Sequence, residues 1–205
     1  MAVHRFPPLR EADVDPDPLV QFRRWYAEAE AAGVLQPDAM VVATASPEGD
    51  PNARAVLLRG IDDDGFRFFT NFESTKGHEL AANPRATCLF HWREQQRQVR
   101  ARGRVRRVDD ADADAYWIAR PRASRISAWA SEQSALIASR DDLDARGDAT
   151  AARFADGEVP RPEFWGGYRV RVDELELWQH REDRFHDRLR YVRDGDGWRL
   201  ERLQP

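Results

Sequence analysis

The sequence is poor in several features that mark common classes of protein. It contains one cysteine, Cys88, which excludes an intramolecular disulfide and a zinc site built from several thiolates. No two histidines have the spacing of a helical metal site, and no run approaches the roughly eighteen apolar residues of a membrane helix. The opening residues lack the apolar segment of a signal peptide. We therefore expect a cytoplasmic protein that holds no metal ion.

Strong charge of one sign is absent as well. The 36 acidic and 32 basic residues leave a formal charge of -4, which is a mixed surface and not that of a nucleic-acid-binding protein. No G-x-G-x-x-G follows a predicted strand, and no G-x-x-x-x-G-K-[ST] occurs, which argues against the common nucleotide-binding loops. Small molecules are the expected partners. The seven tryptophans and ten phenylalanines can line pockets for flat ligands as well as fill a core.

Local patterns predict an α+β fold. Asp17 and Pro18 are typical of a helix N-cap and first turn, and Gly33 ends that helix. Residues 98–106 alternate strictly, which predicts a strand with one core face and one arginine face. We expect those arginines to be solvated or paired with acidic neighbours. Short turns between strands predict an antiparallel barrel in a single domain, residues 16–205, after a mobile arm, residues 1–15.

Two groups of residues have the composition of anion sites. The first joins Arg54 to the turn Ser74-Thr75-Lys76, because free N–H groups at a helix start favour a phosphate. The second joins Arg120 and Ser124 to Tyr116, one helical turn earlier. Hydroxyl residues before a helix are more often simple N-caps, so each group alone is weak. Together they predict two phosphorylated ligands, one of them a cofactor.

A third cationic group lies in the C-terminal run from Trp178 to Leu189. Arg184, His186 and Arg188 occupy every second position, so on an extended backbone they would share one face. Such a face suits a flat, anionic or delocalised ligand. The alternative is a solvated strand whose arginines pair with the acidic residues beside them. The run by itself leaves both interpretations open.

Taken in order, these motifs resemble the pyridoxamine 5'-phosphate oxidase family, from about residue 17 to the C-terminus. The segments that carry the resemblance are Arg54-Ala-Val-Leu-Leu-Arg59, Phe69-Thr-Asn71, Ser74-Thr-Lys76, Arg97-Gln-Val99, Tyr116 with Arg120-Pro-Arg-Ala-Ser124, Trp129-Ala-Ser-Glu-Gln-Ser134, Phe164-Trp-Gly-Gly167, Trp178-Gln179, Arg184-Phe-His-Asp-Arg188 and Arg202-Leu-Gln-Pro205. The resemblance implies an FMN-binding split barrel with peripheral helices and a homodimer with FMN at the interface. It also implies oxidation of pyridoxamine and pyridoxine 5'-phosphate to pyridoxal 5'-phosphate, with O2 as the final acceptor and peroxide as a product.

The resemblance also implies which positions bind each ligand. Those for FMN are Arg54, Ala55, Val56, Leu57, Leu58, Arg59, Phe69, Thr70, Thr75, Lys76, Gln98, Gln133, Ser134, Trp178 and Arg188. Those for the substrate are Arg59, Tyr116, Arg120, Ser124, Arg184 and His186. Of these, Arg184 and His186 flank the pyridine ring and are the expected catalytic residues. Arg188 is the candidate for a positive group at the flavin N1–O2 edge.

The sequence departs from the family pattern at a few positions. Arg59 stands where lysine is usual, Phe69 where tyrosine is common, and His180-Arg181 where a glycine is usual. The N-terminal arm is also short, and these departures bear on substrate affinity more than on FMN binding. Three alternatives remain: a related split-barrel oxidase of the phenazine type acting on another ring, a non-catalytic flavin- or pyridoxal-phosphate-binding protein, and a structural domain.

Overall fold

The computed structural model describes residues 7–205. Its five α-helices are α1 (Pro18–Ala31), α2 (Thr75–Ala82), α3 (Asp110–Ala119), α4 (Arg122–Ala130) and α5 (Arg140–Arg153). Its ten strands are β1 (Ala39–Ala45), β2 (Pro51–Leu57), β3 (Gly60–Ile61), β4 (Gly65–Asn71), β5 (Arg85–Trp92), β6 (Arg97–Arg107), β7 (Trp165–Arg171), β8 (Glu174–Gln179), β9 (Asp187–Asp194) and β10 (Gly197–Arg202). Within this part of the chain, no helix is long and apolar enough to cross a membrane.

The strands form one curled antiparallel sheet. Its main path is β10-β9-β8-β6-β5-β1-β2, and β3, β4 and β7 branch from it onto the far end of β6. β6 makes this possible because its first residues pair with β8 while its last three pair with β7. After β2 the chain turns towards β4, where the Arg59 N–H donates to the Arg67 carbonyl at 2.7 Å. The result is a split barrel with peripheral helices, so the predicted α+β fold is confirmed.

The capping signals act where the sequence predicts. The Asp17 carboxylate accepts from the backbone N–H of Leu19 at 2.7 Å, and Pro18 opens α1. The helix ends two residues before Gly33, whose φ of +70° is a conformation that favours glycine. At α2, the Ser74 hydroxyl oxygen accepts from the Gly77 N–H at 3.4 Å. Both helix starts are therefore set by local side-chain chemistry.

β6 shows the alternation that its sequence predicts. Val99 and Ala101 are fully buried, whereas Arg100 and Arg102 project from the opposite, outer face of the sheet. These arginines pair with glutamates of β8, so the expectation that they meet acidic neighbours is confirmed. The core-facing side of the sheet packs against the aromatic side of α1, where Phe22 lies 4.6 Å from Phe66 between ring centroids.

The C-terminal run is not extended throughout, so the condition under which Arg184, His186 and Arg188 would share one strand face is not met. β8 ends at Gln179 and β9 begins at Asp187, with a turn between them in which Arg184 has a φ of +68°. Local hydrogen bonds compete with strand pairing here: the Arg181 N–H donates to His186 Nδ1 and the Phe185 N–H donates to an Asp183 carboxylate oxygen, both at 3.0 Å. Arg184 therefore does not share a strand face with Arg188.

The described part of the N-terminal arm contacts the β9–β10 hairpin. Leu9 is buried and its N–H donates to Asp187 at 3.1 Å, and Arg202 pairs with Glu11 at 2.8 Å. The first six residues of the predicted arm lie outside the described residues. Its mobility stays a prediction.

Candidate functional site

A cavity of about 1050 Å³ opens beside the edge strand β2, between β4, the start of α2 and the α3–α4 pair. Fourteen predicted site residues line it. They are Arg54, Ala55, Val56, Leu57, Arg59, Phe69, Thr70, Thr75, Lys76, Tyr116, Arg120, Ser124, Gln133 and Ser134. The fold therefore gathers both predicted anion groups, which lie far apart in the sequence, around one space.

Lys76 is the most buried cation of the cavity, with 7% of its surface exposed. Its Nζ donates only to neutral oxygens, those of Gln133 at 2.8 Å and of Thr70 and Ser74 at 3.1 Å. Among residues 7–205 it forms no ion pair with a carboxylate. Burial, assisted by the charge of Arg54, lowers the pKa of Lys76 to about 8. A buried ammonium without a counter-ion, in the first turn of α2, has the chemistry of an anion site.

Arg54 lies at the same end of the cavity but is held by the protein. One terminal nitrogen donates to the Val42 carbonyl at 3.1 Å and to the Thr44 hydroxyl at 2.5 Å, and the other to Glu79 at 3.2 Å. Glu79 is 8% exposed and also accepts hydrogen bonds from Thr44 and Asn52. Burial by itself would raise the pKa of Glu79, but these hydrogen bonds and the contact with Arg54 outweigh burial and lower the pKa. Glu79 thus fixes the direction of the guanidinium.

Backbone conformation is unusual next to Lys76. Ser134 has a φ of +76°, a region that residues other than glycine rarely adopt. Its hydroxyl oxygen accepts from the Thr75 N–H at 3.3 Å, which joins the loop after α4 to the start of α2. Such a conformation costs on the order of 1 kcal/mol and is common at ligand sites.

The second cationic group begins at Arg59. Its Nη1 donates to Asp38 at 2.6 Å and its Nε to the Tyr116 hydroxyl at 2.9 Å. Burial opposes a higher pKa at Arg59, but the bonds to Asp38 and Tyr116 prevail and raise it. Arg59 stands where the family pattern has lysine. Asp38, the residue immediately before β1, therefore orients its guanidinium fork.

Arg120 faces Arg59 in this group. Its guanidinium carbon lies 4.7 Å from the centre of the Trp165 ring, and its Nη2 donates to the Ser124 carbonyl at 2.9 Å. Its buried Nε has no hydrogen-bond partner among residues 7–205. Burial lowers the pKa of Arg120 despite the opposing effect of Tyr116, and the nearby charge of Arg59 acts in the same direction as burial. A guanidinium that lines a cavity and pairs with no carboxylate among the described residues has the chemistry of a phosphate site.

Stacked aromatic rings form the wall between the two groups. The Phe69 ring lies 4.0 Å from Tyr116 and 5.6 Å from Trp165, all nearly parallel. These rings present a flat apolar surface and fix the hydroxyl of Tyr116 at Arg59.

The other predicted residues lie outside the cavity. Leu58 is buried in the core. Gln98, Trp178 and Arg188 are directly opposite one another on β6, β8 and β9, so they form one cross-strand row on the outer face of the sheet. Four strand spacings of about 4.8 Å separate β8 from β2, which makes a distance of about 19 Å along the sheet. One side chain cannot span that distance.

The two expected catalytic residues lie in the turn beyond this row. The His186 ring centre is 4.7 Å from Trp178 and 5.1 Å from His180. Because His186 Nδ1 accepts the Arg181 N–H, a neutral His186 carries its proton on Nε2. Burial, then the charges of His180 and Arg184, lower the pKa of His186. Its imidazole is therefore held as a neutral Nε2–H donor near neutral pH.

Sequence reasoning did not single out four residues that shape the site. Asp38 and Glu79 orient arginines, Trp165 covers Arg120, and Glu176 pairs with Arg188 at 2.7 Å. Only Trp165 belonged to a recognised motif. The acidic residues carry no local signal, because each meets its arginine across the fold.

Two family models and several curated proteins match this chain. A family model described as pyridoxamine 5'-phosphate oxidase matches residues 27–151, and one described as a pyridoxine 5'-phosphate oxidase C-terminal dimerisation region matches residues 165–205. Curated proteins named pyridoxine/pyridoxamine 5'-phosphate oxidase are similar along nearly the whole chain. The one from Rubrobacter xylanophilus is 52% identical over 96% of this chain and 91% of its own. The one from Burkholderia cenocepacia is 51% identical over 96% and 93%.

Solved structures show the same architecture. PhzG from Burkholderia lata, in complex with tetrahydrophenazine-1-carboxylic acid, superposes with a TM-score of 0.89 at 34% identity, covering 95% of both chains. A protein from Nostoc punctiforme, described as pyridoxamine 5'-phosphate oxidase-related and FMN-binding, superposes with a TM-score of 0.69 at 19% identity, covering 90% of this chain and 97% of its own. This second superposition shows the shared fold. With one family model over more than half of its length and curated relatives about half identical to it, this chain belongs to the pyridoxamine 5'-phosphate oxidase family.

Proposed function

We propose that the protein is an FMN-dependent oxidase that converts pyridoxamine and pyridoxine 5'-phosphate to pyridoxal 5'-phosphate, with O2 as the electron acceptor. The observation that carries the proposal is the pair of cationic groups around one cavity, one at Lys76 and one at Arg120. Each has a buried nitrogen without a carboxylate partner among the described residues. Two phosphates, one from the cofactor and one from the substrate, match this arrangement.

The Lys76 group fits the FMN phosphate. It combines the ammonium and the oriented guanidinium of Arg54 with the first turn of α2 and the hydroxyls of Thr75 and Ser134. A dianion here compensates the burial of Lys76, which is otherwise unfavourable. Bound FMN supplies the redox chemistry, by accepting hydride equivalents from the substrate carbon and giving electrons to O2.

The Arg120 group fits the substrate phosphate. Arg120 contributes a guanidinium that pairs with no carboxylate among the described residues, and Arg59 and Tyr116 are already fixed relative to each other by a 2.9 Å hydrogen bond. The Ser124 side chain lines the same space. A phosphate anchored at this point would place the rest of the substrate along the stacked rings. The binding energy of the phosphate would thereby orient the substrate for reaction.

A second copy of the chain would complete the site. Gln98, Trp178 and Arg188 lie three, four and five strand spacings along the sheet from β2, roughly 14 to 24 Å at about 4.8 Å each, yet the resemblance assigns them to the same flavin as the cavity residues. The outer face carries two exposed apolar residues, Val41 on β1, which lies between that row and β2, and Leu57 on β2 itself, each 37% exposed. In a two-fold dimer packed on this face, each copy's row would lie over the other copy's cavity.

In that arrangement the turn after β8 would close over the substrate ring. Arg184 would hold the ring by charge and planar contact, and the Nε2–H of His186 would donate to a substrate oxygen or nitrogen. Arg184 has a φ of +68°, a conformation whose energetic cost is typical of functional residues.

The phenazine-type alternative keeps FMN but changes the substrate. PhzG is less similar to this chain, at 34% identity, than the curated vitamin-phosphate oxidases at 52% and 51%. The Arg120 group also offers more cations than one ring carboxylate needs. The vitamin phosphates are therefore the better-supported substrates.

The visible spectrum of the purified protein with FMN tests the proposal. Under anaerobic conditions, pyridoxamine 5'-phosphate should bleach the flavin band, and admission of air should restore it. Pyridoxamine without its phosphate is the matched control and should bleach it far more slowly. A band that persists with the phosphate but bleaches with a dihydrophenazine carboxylic acid would move the substrate to the phenazine class. Failure to bind FMN at all would overturn the whole proposal.

A further inference from the structure

Glu176 is a buried carboxylate on the outer face of the sheet, next to the row formed by Gln98, Trp178 and Arg188. It is 3% exposed and lies on β8, two residues before Trp178. Its direct cross-strand neighbours are Arg100 on one side and Arg190 on the other. Glu176 therefore belongs to the adjacent row and reaches Arg188 diagonally, a distance that long side chains cover in an antiparallel sheet.

The contacts of Glu176 hold Arg188 from one side while the C-terminus holds it from another. Arg188 Nε donates to Glu176 at 2.7 Å, and its Nη1 donates to the Gln204 carbonyl at 2.9 Å. The second oxygen of Glu176 accepts from Arg100 at 2.5 Å. Within residues 7–205 the third nitrogen of Arg188, Nη2, has no partner. The guanidinium thus has two of its nitrogens fixed and one left for a ligand.

We propose that Glu176 is a positioning residue that aims the guanidinium of Arg188 at the bound flavin of the neighbouring copy. This rests on the proposed function, because the role of Arg188 towards FMN is part of that proposal. An arginine side chain has many rotamers, and ordering it costs free energy when a ligand binds. Glu176 removes that cost in advance, and its own burial is compensated by two arginines.

Glu174 supplies a matched comparison on the same strand and face. It is 7% exposed and pairs with Arg102 at 2.7 Å, and it lies 3.8 Å from Arg190. It has the same chemistry and similar burial but makes no ion pair with Arg188 in the described part of the chain. A general contribution of buried carboxylates to the sheet would appear at both positions, whereas a positioning role would appear at Glu176 alone.

The test measures the dissociation constant of FMN by titrating apoprotein into FMN and following its fluorescence. Glu176→Gln keeps the shape of the side chain and removes its charge, and we expect binding about five- to thirtyfold weaker. Glu174→Gln should change the constant by less than about twofold. Combined with Arg188→Ala, Glu176→Gln should add little, because its effect passes through Arg188.

Arg188→Lys tests the same contact from the other partner. Lysine keeps the charge but cannot reach Glu176, Gln204 and a ligand together, so we expect a loss similar to that of Glu176→Gln and no further loss in the double variant. The fraction of dimer is measured for every variant, and FMN dissociation constants are compared only among variants that are dimeric.

Two results would overturn the inference. One is equal loss from Glu174→Gln and Glu176→Gln, and the other is a full additional loss when Glu176→Gln is combined with Arg188→Ala. Both presuppose that the unaltered protein binds FMN. A wild-type protein that binds no FMN would instead overturn the proposed function and, with it, this inference.

Discussion

The cavity and the outer face of the sheet both carry several positively charged side chains, but the partners of these charges differ between the two regions. In the cavity, Lys76 donates only to neutral oxygens and the Nε of Arg120 has no partner among residues 7–205. On the outer face, Arg100 and Arg188 both pair with the buried Glu176. Arg54 and Arg59 in the cavity are oriented by Glu79 and Asp38, whereas Lys76 and Arg120 form no ion pair with a carboxylate among the described residues and can pair with an incoming anion. Arginines that pair with buried carboxylates can be covered by another protein surface at a lower desolvation cost than unpaired ones.

In the proposed dimer, this difference would divide each site between two copies. The cavity would bind phosphates, while the outer face would supply preoriented side chains and an apolar contact surface to the partner. The predictions below separate these two contributions, beginning with the largest expected effect.

Mixing two inactive variants should restore activity. Lys76→Ala removes the cavity cation, and Arg188→Ala removes the side chain of the outer row, so each homodimer should lack a complete site. If each site joins the cavity of one copy to the row of the other, a mixed dimer regains one intact site. Coexpression should therefore restore about one quarter of wild-type turnover, from random pairing in a two-fold dimer. Activity that stays at the level of the separate variants would show that each chain carries its site alone.

Arg120→Ala should strongly impair use of the phosphorylated substrate. It removes a partly buried guanidinium, so kcat/KM for pyridoxamine 5'-phosphate should fall about 100- to 1,000-fold while FMN remains bound. Arg122→Ala is the control, because Arg122 donates to the carbonyls of Gly157 and Phe154 and does not line the cavity. Steady-state kinetics and the flavin content of each variant measure the effect. Equal losses in both variants would exclude a specific phosphate contact at Arg120.

Arg184→Ala should reduce turnover by about 10- to 100-fold with FMN retained, since it removes a contact that orients the substrate ring. Phe185→Ala lies in the same turn, is 73% exposed in the wild-type chain, and should have little effect. Rapid anaerobic reduction of the flavin isolates this step. Unchanged reduction in Arg184→Ala would remove this residue from the mechanism.

FMN affinity should fall as the pH rises above about 8. In the free protein the pKa of Lys76 is about 8, below its ordinary value of 10.5, so the ammonium loses its proton above that pH. A bound phosphate favours the charged form and raises the pKa, so binding takes up a proton there. Affinity should drop by at most about tenfold per pH unit. Lys76→Arg stays charged, and its affinity, measured across pH 7 to 10, should lack this drop.

Arg59→Lys should have the smallest effect. Lysine keeps the charge but cannot bridge Asp38 and Tyr116 as the guanidinium does. We expect KM for the phosphorylated substrate to rise about three- to tenfold, with kcat nearly unchanged. Arg24→Lys, in an exposed pair with Glu28, is the control. A lower KM in Arg59→Lys would mean that Asp38 holds Arg59 back from the substrate.

Much of the fold follows from local sequence. Asp17 and Pro18 define the start of α1 because a carboxylate and a fixed φ satisfy the first helical turn without help from the rest of the chain. The alternation along β6 separates Val99 and Ala101 from Arg100 and Arg102, since successive side chains of a strand point to opposite faces. The family was also recognisable from the order of its motifs.

Only the tertiary structure decided how the site is assembled. The sequence does not show that β8 ends at Gln179, because the turn that follows depends on backbone groups finding side-chain partners within it. It does not show that Glu176 meets Arg188 or that Asp38 meets Arg59, because such ion pairs depend on strand register and on contacts between distant segments. Residue types and spacing therefore determined which groups are present, and the packing of the sheet decided which charges are already paired and which await a ligand.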